Sequence, residues 1–118
     1  MRKIVFLLSL LVAMSTADVA FAHAHLDHAS PAVGSTVTTA PQEVTIWFTQ
    51  NLEPAFSSVA VTDSSGAAVT QGAPQVAGNT MRVGLKAIGA GNYTVHWKAV
   101  SVDTHKTEGT FSFTVGGH

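Results

Sequence analysis

No cysteine occurs in the 118 residues of the chain. That absence removes thiolate nucleophiles, zinc-thiolate clusters and blue-copper centres from consideration, because each requires a thiolate. It also removes disulfides, so an exported domain of this size has to be held by its apolar core alone. Charge is scarce too: six Lys and Arg against seven Asp and Glu, 11% of the chain. Beyond residue 22 the only Lys and Arg are Arg82, Lys86, Lys98 and Lys106. They form no stripe, which argues against nucleic acid and anionic membrane surfaces as partners.

What is present begins with a leader. Arg2 and Lys3 form a basic start, Ile4 to Met14 an apolar run too short to span a bilayer, and Ala20-Phe21-Ala22 a small-x-small cleavage pattern. The expectation is a secretory signal peptide over residues 1–22, with Ala17 as a rival cut, and one mature domain over residues 23–118. No cysteine follows the apolar run, so a lipoprotein is excluded.

The mature region alternates at period two. Val44, Ile46 and Phe48 alternate with Thr45, Trp47 and Thr49; Val59 and Val61 precede the turn Asp63-Ser64-Ser65-Gly66; Met81, Val83 and Leu85 alternate with Arg82 and Gly84. Tyr93, Val95 and Trp97 form a fourth run and Phe111, Phe113 and Val115 a fifth, with Ser101 to Gly109 read as the loop between them. Weaker strands near residues 25–29 and 67–70 bring the count to about seven. The predicted fold class is all-β, a small immunoglobulin-like β-sandwich. Gly116-Gly117-His118 reads as a frayed end. Trp47 is in step with the polar positions and is expected to point away from the core, whereas Trp97 is expected inside it.

Two stretches carry chemistry. A cut after Ala22 makes His23 the first residue, and its α-amine and nearer ring nitrogen can close a six-membered chelate on one metal ion; the amine titrates near pH ~8, so a metal displaces its proton cheaply. The second stretch is SVDTHKTEG, where Asp103 and His105 stand two apart and emerge on one face of an extended segment. Two imidazoles, an amine and a carboxylate make an N3O set of the kind Cu(II) prefers. Each half also has a plainer reading: D-x-H equally fits an Asx turn beside a surface histidine.

HAHLDHASPAVGS, PQEVTIWFTQNLEPAFSSVAVTDSSG and GNYTVHWKAVSVDTHKTEGTFSFTV, in that order, resemble the CopC family of periplasmic copper-resistance proteins across nearly all of the mature region. The resemblance implies a Greek-key sandwich that binds Cu(II) through the N-terminal histidine and a D-x-H loop. By position His23 would give its amine and ring nitrogen, His105 a ring nitrogen and Asp103 a carboxylate oxygen. It further implies a non-catalytic copper buffer or carrier in the periplasm, paired with a CopD-type inner-membrane protein. Three positions depart from the family pattern. Gln50 stands where several relatives have glutamate, which leaves it a hydrogen-bonding role toward a ligand or bound water. Met81, the sole methionine after the cut, alternates with Val83 and Leu85 and reads as core, so no thioether Cu(I) site is expected. Lys106 replaces a frequent proline and leaves the loop after His105 freer.

His25 is a possible additional ligand. His23-Ala24-His25 also fits the square-planar mode in which an amine, two deprotonated amides and the third-residue imidazole wrap Cu(II), although a folded sandwich should resist it. His28 and His96 read as solvated surface residues and His118 as having no fixed geometry. Two other function classes remain open at this level: a copper-dependent polysaccharide monooxygenase, which also uses an N-terminal histidine but needs an open metal position and a flat substrate surface, and a β-sandwich interaction module without metal.

Overall fold

A computed structural model describes residues 24–116. The cleavage site, His23 and His118 lie outside the described residues. The alternating runs become pleated strands that turn one file of apolar side chains to a shared interior. On β3 (Glu43–Phe48), Val44, Ile46 and Phe48 are buried; on β6 (Thr80–Leu85), Met81, Val83 and Leu85; on β7 (Gly91–Val100), Tyr93, Val95, Trp97 and Ala99; on β8 (Lys106–Val115), Phe111, Phe113 and Val115. The other strands are β1 (Leu26–Ser30), β2 (Thr36–Val37), β4 (Ser58–Asp63) and β5 (Thr70–Ala77), and the described helical content is one 3-10 turn at Pro54–Phe56. Two four-stranded sheets, in the orders β1-β3-β6-β5 and β2-β8-β7-β4, face each other across the core. The result is an immunoglobulin-like Greek-key sandwich with eight strands, rather than about seven.

The extra strand is β2, a two-residue piece that pairs in parallel with Thr114 and Val115. Pairing so short and so distant in sequence leaves no periodic trace. The weak strand expected at 67–70 is a bridge from Ala68 to Thr62 that leads into β5, which runs on to Ala77. Gly72 and Pro74 hide β5 from a period-two reading, and its register against β6 shifts between Gln71 and Gln75; an edge position tolerates both.

The loop between β7 and β8 is shorter than expected. Pairing continues down to Val100 opposite Lys106, leaving Ser101 to His105 as the connection instead of Ser101 to Gly109. Thr107 and Gly109 occupy inward positions on β8, in step with Phe111 and Phe113, but neither is apolar and bulky, so the sequence pattern fades one turn too early. Of the expected frayed end, Gly116 is held, its N–H donating to the Val37 carbonyl at 2.8 Å, while Gly117 and His118 lie outside the described residues.

Trp97 lies inside, 8% exposed, with its ring edge-on to Phe48 at 5.1 Å between centroids. Trp47 points outward as expected but is half-buried, because His28 stacks on it at 4.3 Å and 6°. His28 is therefore exposed yet engaged, its Nδ1 also 2.8 Å from Asp27 Oδ2. His96 stands on the exposed face of β7. Met81 is fully buried among core residues.

Candidate metal centre

The turn from β7 to β8 is built around a serine. Ser101 is fully buried at the end of β7; its N–H donates to the His105 carbonyl at 3.0 Å, and its carbonyl accepts the Thr104 N–H at 2.7 Å. Its hydroxyl donates to Asp103 Oδ1. Thr104 closes the turn with φ of 70°, in the left-handed region that a β-branched residue avoids, and its hydroxyl donates to the Asp103 carbonyl. Such a conformation costs about 1–3 kcal/mol and persists where surrounding bonds over-determine it; here the two bonds across Ser101 do so.

The product of this turn is that Asp103 and His105 emerge together. Asp103 Oδ1 lies 3.4 Å from His105 Nδ1, with both side chains half-exposed. The separation is long for a hydrogen bond and suits two donors sharing one ion at roughly 2.0–2.2 Å from each. The Ser101 hydroxyl holds the Asp103 carboxyl below the usual aspartate range; partial desolvation opposes this, and His105 adds to it. Asp103 is thus an anion at neutral pH, ready to face a cation without first losing a proton.

Two other segments close on this turn. The loop after β3 runs alongside it: the Val102 N–H donates to the Asn51 carbonyl at 3.1 Å, the Glu53 N–H to the Val100 carbonyl at 2.7 Å, and Leu52 bridges Ser101. Gln50, half-buried, sits in that loop next to Asn51. The start of the described chain reaches the same place. Thr107, two residues past His105, donates its hydroxyl to the Ala24 carbonyl at 2.6 Å. The His25 N–H donates to Thr49 Oγ1 and the Thr49 N–H returns to the His25 carbonyl, both at 2.9 Å.

Of the residues singled out from sequence, Asp103 and His105 are brought into contact and Gln50 and His25 are placed on the two neighbouring segments. Among the described residues no three His, Asp or Glu side chains form a metal cluster. The His25 backbone N–H, which the square-planar mode must deprotonate, is committed to Thr49. Ser101, Thr104, Thr49 and Thr107 were not anticipated from sequence. For Ser101, Thr104 and Thr107 the one visible signal is the density of small hydroxyl residues around D-x-H in SVDTHKT; Thr49 has none.

Comparison with known proteins decides the family. Residues 26–116 match the CopC domain. The chain belongs to the CopC family. It is 33% identical over 118 residues to protein YobA of Escherichia coli K12, covering 97% of this chain and 95% of that one. It is 34% identical to copper resistance protein C of Xanthomonas campestris pv. juglandis, covering 89% and 90% of the two chains. The crystal structure of CopC from Methylosinus trichosporium OB3b superposes with a TM-score of 0.76 at 30% identity, covering 81% of this chain and 96% of that chain. Membership places the CopC-type chain among copper-resistance proteins, with copper as the ion the family handles. Relatives in Xanthomonas campestris pv. juglandis and Escherichia coli carry the name copper resistance protein C, which favours the copper-resistance reading over the monooxygenase and metal-free readings.

Proposed function

We propose that the protein is exported, loses residues 1–22, and holds one Cu(II) ion in the periplasm for sequestration or delivery. The ligands in this reading are the His23 amine and ring nitrogen, a His105 ring nitrogen and an Asp103 carboxylate oxygen. Gln50 is a hydrogen-bonding neighbour of the bound ion or its water. The carrying observation is the Thr107 to Ala24 hydrogen bond, which ties the residue after position 23 to the strand that follows His105. In this reading the amine joins the anionic Asp103 and the His105 ring, which already stand side by side.

The donor set gives the chemistry. Nitrogen and carboxylate donors favour Cu(II), and a directly bound anion stabilises the divalent ion over the monovalent one. Met81, the single methionine after residue 22, is buried away from solvent and supplies no thioether ligand at the surface. The protein is thus a Cu(II) carrier with no separate Cu(I) site, and reduction of the ion favours its release. A CopD-type inner-membrane protein is the proposed recipient. Among the described residues no helix is long and apolar enough to cross a membrane.

A competitive Cu(II) titration followed by electron paramagnetic resonance tests this reading, run on protein beginning at His23 and on the same protein with one added N-terminal glycine. One-to-one binding with nitrogen hyperfine structure, crippled by the glycine, is the expected result. Equal binding by both proteins would remove the amine from the ligand set and with it the proposed cut.

A further inference from the structure

We infer that Thr107 is a positioning residue of the copper centre: its hydroxyl sets where the N-terminal ligand arrives. The inference rests on the proposed amine coordination and goes beyond it, because a ligand set does not state what brings its two halves together. Thr107 stands at an inward position of β8, two residues below Phe111's neighbour Gly109 in the same file. An apolar side chain would be the default there. The threonine instead reaches across 83 residues of sequence to the carbonyl of Ala24, at 2.6 Å.

A structural account alone is available for that bond. Ala24 is fully buried, and a buried carbonyl needs a donor. The remaining geometry adds a second role. Ala24 is followed by His25, whose N–H and carbonyl are both committed to Thr49 on the opposite side. The segment is thus gripped from β8 at Ala24 and from the end of β3 at His25. The β8 grip is the one that matters for the metal, since Thr107 is on the same short stretch as His105 and moves with it. Loss of the hydroxyl would leave the Thr49 grip and the fold in place while freeing the Ala24 carbonyl from the D-x-H turn. Binding then has to order that end before the chelate closes, and the entropy of that ordering is charged to copper affinity. Groups that orient metal ligands without touching the ion typically contribute about 10–100-fold in affinity.

The experiment compares Thr107→Val, which keeps the shape and removes the donor, with Thr107→Ser, which keeps the donor. Both are made in protein beginning at His23 and in protein with one added N-terminal glycine. Cu(II) affinity is measured by chelator competition, and the number of coordinated nitrogens by electron paramagnetic resonance. The expected result is a roughly tenfold weaker site and a partial loss of the amine nitrogen signal in Thr107→Val, near-normal behaviour in Thr107→Ser, and no further loss from Thr107→Val once the glycine is present. Should Thr107→Val fail to fold, Thr107→Ala, which removes the donor with less bulk, takes its place in the same comparison. Wild-type affinity in the donor-less variants, with the glycine still crippling the parent, overturns the positioning role and leaves the amine ligand standing. An equal loss with and without the glycine also overturns it, as a general effect on the fold. Indifference of the parent to the glycine overturns the amine ligand itself, and the positioning role with it.

Discussion

Gly109 lies directly against the indole of Trp97: a Cβ built on it would stand 2.7 Å from Cζ2 and 3.0 Å from Cε2 of the ring. The two residues are opposite one another in the β7–β8 ladder, so the ring lies across the neighbouring strand where any larger residue would project. The ring is in turn edge-on to Phe48, with little room to retreat. Gly109→Ala is therefore expected to destabilise the fold by about 1–3 kcal/mol as an overpacking change. At roughly 4–8 °C per kcal/mol for a domain of this size, a thermal melt would show it clearly. A wild-type melting temperature would mean that Trp97 can swing aside at no cost.

Removal of a proposed ligand should be far more severe for copper than for stability. Asp103 and His105 are half-exposed, and the backbone bonds of Ser101 to Thr104 and His105 hold their turn without the His105 side chain. His105→Ala is expected to weaken Cu(II) binding by at least about 100-fold, the upper end of what merely orienting groups contribute. Circular dichroism should show the same sandwich. Comparable affinity in chelator competition would remove His105 from the centre.

Cu(II) should in turn stabilise the native fold. A ligand that binds only the folded chain adds about 2.7 kcal/mol at a free concentration of 100 Kd. The melting temperature of the His23-initiated protein is expected to rise by several degrees under buffered Cu(II), and ethylenediaminetetraacetate should reverse the rise. A melt insensitive to both reagents would point to a protein that does not bind the ion in its native state.

Met81 offers a check on the oxidation state. It is fully buried at the centre of the sandwich, paired across from Ile46. Met81→Leu conserves volume and is expected to cost less than about 1.5 kcal/mol. Affinity for Cu(II) should be unchanged, and after ascorbate the variant and the parent should lose their copper to a Cu(I) chelator equally fast. Faster loss from the variant would show that the thioether reaches the monovalent ion after all.

Acid stability should depend on a turn far from the metal. Asp63 Oδ1 accepts the Ser65 hydroxyl at 2.7 Å and the N–H groups of Ser65 and Ala67 at 2.9 and 3.0 Å. The Ser65 hydroxyl, followed by the backbone bonds, lowers the Asp63 pKa below its ordinary value. A group whose pKa is depressed by folding contributes its stability above the unfolded value, near pH ~3.9, and loses it as pH falls through the lower folded value. Melting temperature of the metal-free protein should decline below about pH 4, with Asp103 acting in the same direction. Asp63→Asn keeps an acceptor in the turn without the titration and should flatten part of that decline. An unaltered acid limb would assign it to other carboxyls.

The sandwich was legible wherever alternation met a two-faced strand, as at Val44-Ile46-Phe48 or Tyr93-Val95-Trp97, because burial on one side imposes period two. It was illegible where the reason for a strand lay elsewhere in the chain. β2 exists because the end of β8 offers it a partner, and β5 because β6 does; Gly72 and Pro74 in β5 carry the composition of a turn. The candidate centre divides the same way. The D-x-H spacing brings Asp103 and His105 onto one face as a local consequence of the turn. The Ser101 and Thr107 hydroxyls act through tertiary neighbours, and no window of sequence around them names Ala24 as a partner. His28 illustrates the point at the surface: its position was readable, but its stacking on Trp47 depends on the β1–β3 register.

The same Pro74 that concealed β5 protects the finished molecule. β5 is an outer strand of its sheet, where a straight run of unpaired amides would invite the matching edge of another copy. Proline has no N–H to offer, and the register shift between Gln71 and Gln75 bends the strand out of the flat geometry that stacking needs. The outer strand β2 of the other sheet has only two residues. A chain with no disulfide to rescue it is therefore guarded at its β5 edge against edge-to-edge pairing into cross-β aggregates.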